Sequence, residues 1–340
     1  MKRLLLALVV VVAALAATAG WLWYQYGHAP IAIASPPATV TIARGSGAIA
    51  IARQLREGGV DVEPLLLRAA LRVRGDDGRM QAGTYRIEAG TTLERLLDRL
   101  VAGDVIFEEI RIGEGWTFRQ LRAAIDAHPE LAHDSRDLTE AELLARLKLS
   151  HEHPEGLFFP NTYRFARGTS DFEVLGQAAD LMRRHLEAAW ERRVPDLPLT
   201  SPYELLILAS IVEKETGLEE DRRRVAGVFV NRLRIGMMLQ SDPTTIYGMG
   251  ESFDGNLRRR DLRTDTPHNT YTRGGLPPTP IAMPGEASLL AAANPAESRE
   301  LYFVSRGDGS SQFSETLDAH NRAVREFQLR RRPAAEGASR

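Results

Sequence analysis

The residue best placed to do chemistry is Glu215, the second acid of an E-K-E triplet in the stretch Ser201 to Gly217, SPYELLILASIVEKETG. The stretch reads as a helix marked at both ends. Ser201 with Glu204 has the spacing of a capping box, Pro202 stands at the first helical position, and Gly217 is a natural stop. At about 100° per residue, Leu205, Ile207, Leu208, Ile211 and Val212 share one core-facing arc. Glu215 falls in the middle of that arc and Glu213 well off it, while Glu204 has capping to satisfy it. Burial and the negative end of the helix dipole both disfavour a carboxylate, so both raise the pKa of Glu215. An acid still protonated near neutrality is the general acid that breaking a glycosidic bond requires. A rival reading pairs Glu215 with one of the nearby arginines Arg222, Arg223, Arg224, Arg232 or Arg234, because structural ion pairs also perturb pKa values.

The elements that must position this acid lie on both sides of it. Downstream, Glu219-Glu220-Asp221 opens another helix with acids in its first turn, where the dipole favours them. That helix carries Val225, Val228, Phe229 and Leu233 on one face and ends at Gly236. The stretches MMLQSDPTTIYGMG and LRTDTPHNTYTRGGLPPTPIAMPG resist regular structure, and loops this long in a compact domain are usually functional or disordered. Their aromatic and amide content argues against disorder. Gln240, Asp242, Thr244, Tyr247, Asn269, Thr270 and Tyr271 offer the donors, acceptors and ring faces of a sugar-binding cleft, although Asn, Asp and Thr also serve as satisfied turn residues. A helix over 287–293, a strand in LYFVSRG and a last helix from Thr316 to Arg330 follow. Upstream, 172–193 is an amphipathic helix, Thr139 and Glu142 form a capping box, and EGLFFPNTYRF reads as a strand and turn packing two domains together, or as an aromatic wall of a groove.

The chain has 340 residues, enough for two or more domains, and a formal net charge of −2, so no global field argues for nucleic acid. With no cysteine there is no disulfide, thiol nucleophile or Cys-based metal site, and no spaced His cluster suggests a metal. Lys2 and Arg3 precede LLLALVVVVAALAATAGWLWY, an uncharged run of the length of one membrane-spanning helix with Trp21, Trp23 and Tyr24 at its far interface. The competing reading is a cleaved signal peptide, for which Ala16 to Gly20 supply small residues. The run is longer than a usual signal core and aromatic at its end, which favours a retained anchor. Gln25 to Ala38 reads as a linker without helical periodicity.

Three segments then share one plan: VTIARGSGAIAIARQL, YRIEAGTTLERLL and IRIGEGWTFRQL each give a strand, a Gly-containing turn, a Ser or Thr near a helix start, and an amphipathic helix. Gly45, Gly90 and Gly115 occupy the turns. Such units resemble LysM carbohydrate-binding modules, and equally fit a structural α+β spacer.

LASIVEKETG, VFVNRLRIGMMLQSDPTTIYGMG, NTYTRGGLPPTPIAMPG and EGLFFPNTYRF, in this relation along the chain, resemble the endolytic murein transglycosylases of the MltG or YceG-like family. The resemblance runs from the membrane anchor to the final helix, with 134–153 its least similar part. It implies an α+β protein with an N-terminal transmembrane helix, a small LysM-like module and a mainly helical catalytic domain with long groove-forming loops. The corresponding boundaries are 1–3 cytoplasmic, 4–24 transmembrane, 25–39 linker, 40–125 LysM-like, 126–169 connecting, 170–330 catalytic and 331–340 a flexible tail. It implies a single-pass protein of the bacterial inner membrane with its bulk on the outer, periplasmic face, binding peptidoglycan strands and no nucleic acid. Synthases of the elongation machinery fit as partners.

The activity implied is lytic cleavage of nascent strands between N-acetylmuramic acid and N-acetylglucosamine with a 1,6-anhydro end, terminating elongation without cofactor or metal. The family's catalytic acid maps to Glu215, and Glu213, Gln240, Asp242, Thr244, Tyr247, Asn269 and Tyr271 are the expected groove residues. Two other classes compete with this reading. A muramidase-type hydrolase would need a second carboxylate, for which Asp242 and Asp221 are candidates. A non-catalytic, membrane-anchored glycan-binding scaffold would need no acid at all.

Overall fold

A computed structural model describes residues 2–329 and divides them into two compact units. The expected flexible tail, 331–340, and Met1 lie outside the described residues. Among the described residues, the first unit comprises 2–109 with 130–132 and 164–169, and the second comprises 110–129, 133–163 and 170–329.

The first unit opens with α1 (Lys2–Gly27), of which Leu6–Gly27 is long and apolar enough to cross a membrane. The stretch expected as a linker is structured at both ends. Tyr26 packs on the module core, Ile31 N–H donates to Thr91 O at 2.8 Å, and β1 (Ala32–Ile33) pairs antiparallel with β3 (Val60–Asp61). β2 (Ala38–Ile42) leads to α2 (Ala48–Glu57), and α3 (Pro64–Arg74) precedes β4 (Gly83–Ile87) and α4 (Leu93–Ala102). β2 and β4 are antiparallel with Val40 opposite Tyr85, so their alternate residues face one core with Ile51, Leu55, Leu67, Leu71, Leu97 and Leu100.

All three repeated segments form a strand, a turn and a helix, the third being β5 (Phe107–Arg111) and α5 (Phe118–Ala127). Gly45, Gly90 and Gly115 sit in their turns at φ of 74°, 81° and 71°, a conformation that side chains resist. The third helix, however, packs within the second unit, so the repeat in sequence is not a repeat in packing.

Short strands β6 (Leu131–Ala132), β7 (Thr162–Ala166) and β8 (Thr169–Ser170) lie where the chain passes between units. Between them α6 (Glu140–Arg146) carries the capping box that Thr139 and Glu142 predict. The rest is helical: α7 (Asp171–Glu191), α8 (Pro202–Glu215), α9 (Glu219–Arg234), α10 (Asp242–Met249), α11 (Arg259–Arg263), α12 (Glu286–Ala293) and α13 (Leu317–Val324). A hairpin of β9 (Tyr302–Ser305) and β10 (Ser311–Ser314) precedes α13.

α8 is the axis of this unit, packed by α7, α9, α10 and α12. Every residue from Leu205 to Val212 is buried, so the single apolar arc expected for α8 becomes burial all round, as a central helix requires. Its ends also depart from expectation. Ser201 accepts from Glu204 N–H at 3.2 Å, but the Glu204 carboxylate reaches back to Thr200 N–H. The helix stops at Glu215 with Thr216 extended as its cap, without a left-handed Gly217.

Candidate functional site

Glu215 occupies the last turn of α8, where the helix leaves the core and the side chain is only partly buried. Its Oε1 accepts a 2.5 Å hydrogen bond from the Ser241 hydroxyl. Burial pushes its pKa up to about 7; the Ser241 bond and the Arg232 charge pull it down, and the Asp242 charge adds to the rise. The rival arginine pairing does not form: among the described residues no ion pair reaches Glu215. Arg232, buried, instead donates to Leu301 O and Leu239 O at 2.7 and 2.6 Å. Arg224 pairs with Glu300, and Arg223 and Arg234 donate to the Asn294 and Asp196 carbonyls.

The segment holding Ser241 is built for it. Gln240 takes φ of 48°, an uncommon conformation for a residue with a side chain. It persists because Gln240 N–H donates to Thr270 O at 3.1 Å and Ser241 N–H to Thr270 Oγ1 at 3.0 Å. Thr244, fully buried in α10, donates to Ser241 O at 2.6 Å and shares a 2.8 Å bond with Thr270. This helix lies inside what reads in sequence as an irregular loop. Asp242 at its first turn and Pro243 behind it are the N-terminal signals that explain it.

Around Glu215 opens a pocket of about 360 Å³ lined by Gln240, Asp242, Tyr271, Arg232, Tyr302 and His320, among others. Tyr271 OH donates to Asp242 Oδ1 at 2.6 Å, and His320 stacks on Tyr302 at 5.2 Å between centroids. Gln240, Asp242 and Tyr271 are therefore gathered with the acid. Asn269, fully buried, is a hub of the loop, donating to Thr264 O at 2.7 Å and accepting from Tyr271 N–H at 2.9 Å. Glu213 points elsewhere: it accepts from Gly285 N–H at 3.0 Å and Ser288 Oγ at 2.7 Å, at the N-terminus of α12. Asp221 accepts from Ser311 N–H at 2.6 Å, which ties α9 to β10.

Tyr247 belongs to a second constellation that sequence reasoning passed over. Its hydroxyl donates to Glu155 Oε2 at 3.1 Å, and the same carboxylate accepts Phe118 N–H, the first amide of α5, at 2.9 and 3.1 Å. Glu155 is buried and its pKa is pushed up to about 7 by that burial, against these hydrogen bonds. His268, edge-on to Tyr247, is driven down to about 4, mainly by burial. These residues line an open groove of about 720 Å³ with Arg119, Gln120 and His153. Ser241, Tyr302 and His320 also went unmarked in sequence, and Arg232 was named there only as an ion-pair partner for Glu215. Only Ser241, in the QSDPTT run before α10, carried a local signal, as the N-cap of that helix.

Fold and site together define a class: an apolar N-terminal helix, a small α+β module, and a helical domain whose central helix ends in a half-buried acid inside a polar pocket. The chain belongs to the YceG-like family, whose pattern matches residues 40–326. It is 30% identical over 305 residues to the endolytic murein transglycosylase of Bacillus subtilis, covering 85% of this chain and 84% of that protein. The endolytic murein transglycosylase of Streptococcus pneumoniae is 27% identical over 324 residues, covering 85% of this chain and 58% of that longer protein. A crystal structure of a yceG-like protein from Listeria monocytogenes superposes with a TM-score of 0.54 at 28% identity, covering 84% of this chain and 98% of the other.

Proposed function

We propose that this chain is an endolytic murein transglycosylase that cuts nascent glycan strands between N-acetylmuramic acid and N-acetylglucosamine, with Glu215 as its acid and base. The observation that carries the proposal is Glu215 itself, held near neutrality by burial and bonded to Ser241 in a pocket of sugar-compatible side chains. The names of the relatives support the same substrate.

In the proposed reaction Glu215 gives its proton to the glycosidic oxygen, and the bond from that oxygen to the muramic anomeric carbon breaks. The carboxylate so formed, stabilised by the Ser241 hydroxyl, takes the proton of the muramic C6 hydroxyl. The C6 oxygen closes on the anomeric carbon, giving a 1,6-anhydro end and a free hydroxyl on the departing sugar. Proton and electron pairs balance and no water is consumed. Asp242, held by Tyr271, adds negative charge beside the developing oxocarbenium ion, while Gln240 and Tyr271 supply polar contacts to the strand.

Several further assignments belong to the same reading. α1 anchors the chain in the inner membrane with its bulk on the outer face, the first unit serves as a LysM-like module, cutting ends strand elongation, and synthases are neighbours. Digestion in ¹⁸O-labelled water tests the chemistry. Fragments with unlabelled anhydro ends are expected; ¹⁸O-labelled reducing ends would instead make the protein a hydrolase, with Asp242 as the second carboxylate to examine.

A further inference from the structure

Side-chain and backbone contacts tie the end of α1 to the rest of the first unit. Tyr26, in the last turn of α1, packs on the module core and accepts a 2.9 Å hydrogen bond from Arg74 at the end of α3. Arg74 is held in turn by Asp76 and Asp98 at 2.7 and 2.6 Å. Pro30 bridges to Thr92, and Ile31 donates to Thr91. A helix welded in this way carries α3 at a set height relative to its own length.

That height can be read from α1. At 1.5 Å per residue, Leu4 to Leu22 spans about 28 Å, close to the ~30 Å hydrocarbon core of a bilayer. With the hydrocarbon core taken to begin at Leu4, Leu22 falls at its far edge and Trp21, Trp23 and Tyr24 in the aromatic interfacial belt. Trp21 and Leu22 form one wall of a groove of about 650 Å³, Leu65, Leu66 and Ala69 of α3 form another, and the exposed acids Asp61 and Glu63 line it as well. Leu65 is 72% exposed, in the first turn of α3. Arg68 and Arg72, both exposed, follow it at i+3 and i+7 and share its face. An exposed leucine backed by arginines on one helix face, level with an aromatic belt, is the pattern of a helix lying at a lipid interface.

We propose that the first turn of α3 sits in the interfacial layer of the outer leaflet beside α1, that acyl chains fill the groove between Leu65 and Leu22, and that Arg68 and Arg72 meet lipid phosphates. The first unit is then a membrane-lying platform, held by a helix and by a face. This rests on α1 being a retained anchor, so the test reads the two separately.

The chain has no cysteine, so single cysteines report cleanly. Full-length Leu22→Cys and Leu65→Cys proteins carry an environment-sensitive fluorophore and are reconstituted in phosphatidylethanolamine–phosphatidylglycerol vesicles. Each is quenched in turn by nitroxide-labelled lipid and by aqueous iodide. Quenching by nitroxide lipid and shielding from iodide at both positions is the expected result. Lipid quenching at position 22 with free iodide access at position 65 overturns the proposal and leaves the anchor standing. An aqueous label at position 22 removes the anchor and the proposal with it.

Discussion

The Ser241 hydroxyl donates to Glu215 Oε1 at 2.5 Å, joining the end of the central helix to the residue at the N-cap position of α10. The bond favours the charged carboxylate, while burial favours the neutral acid, and burial is the larger effect. A group used first as acid and then as base needs both forms within reach, and this opposition supplies them.

Ser241→Ala removes the one side-chain donor to the Glu215 carboxylate found among the described residues. A hydrogen bond to a charged group contributes about 1.5–3 kcal/mol, so the pKa of Glu215 should rise by roughly one unit or more. The alkaline limb of the kcat/KM profile, expected near pH 7 in the wild type, should move upward by that amount. The rate at low pH should fall, because the carboxylate formed in the reaction has lost its donor. An unmoved alkaline limb would show that Glu215 is not the group titrating there.

Glu155→Gln tests the second buried acid through stability. Its folded pKa of about 7 lies above the ordinary 4.5, so the folded state holds the proton more tightly than the unfolded one. The contribution is fully present below pH 4.5 and is lost as pH rises through about 7. His268, driven down to about 4, works in the opposite sense, gaining stability as pH rises above that value. The readout is therefore the difference between two Tm curves. Wild type should lose stability relative to Glu155→Gln between pH 4.5 and 7, with a constant difference above that range.

Thr244→Val deletes a hydroxyl that is fully buried and bonded to both Ser241 O and Thr270 Oγ1. The two orphaned partners should cost about 1–3 kcal/mol, read by chemical denaturation. Because those partners hold Ser241, kcat should fall more than KM rises. Thr244→Ser, which restores the hydroxyl, should recover most of both.

Gln240→Gly separates strain from contact. The left-handed conformation at φ 48° costs a side-chain-bearing residue about 1–2 kcal/mol, roughly offsetting the entropy that glycine adds to the unfolded chain. Stability should be unchanged or up to about 1 kcal/mol higher, where glycine at an ordinary position would lower it. Turnover should drop, because the amide that lines the Glu215 pocket is gone.

The parts of this architecture legible in the sequence are those decided by neighbours in the chain. The box at Thr139 and Glu142, the glycine turns at 45, 90 and 115, and the place of Glu215 in the last turn of α8 each follow from spacing within one element. The arc drawn on α8 preferred Glu215 to Glu213 but misjudged the helix, because a helix packed on all sides has no single apolar face. α10 was hidden because threonine and glycine in DPTTIYGM outweigh its proline signal when read as local propensity. Glu155 left no local trace, since its partners Phe118 and Tyr247 lie 37 and 92 residues away. Its environment exists only once the loop after α6, α5 and α10 have come together.

The most direct test of the central claim is mass analysis of products from uncrosslinked glycan strands, with wild type and Glu215→Gln run side by side and folding checked by circular dichroism. Wild type should yield anhydro-muramyl ends. The folded Glu215→Gln protein should lose turnover by roughly 10²-fold or more, the contribution of a positioned general acid. Anhydro ends from the glutamine variant at a rate near wild type would contradict the assignment of Glu215.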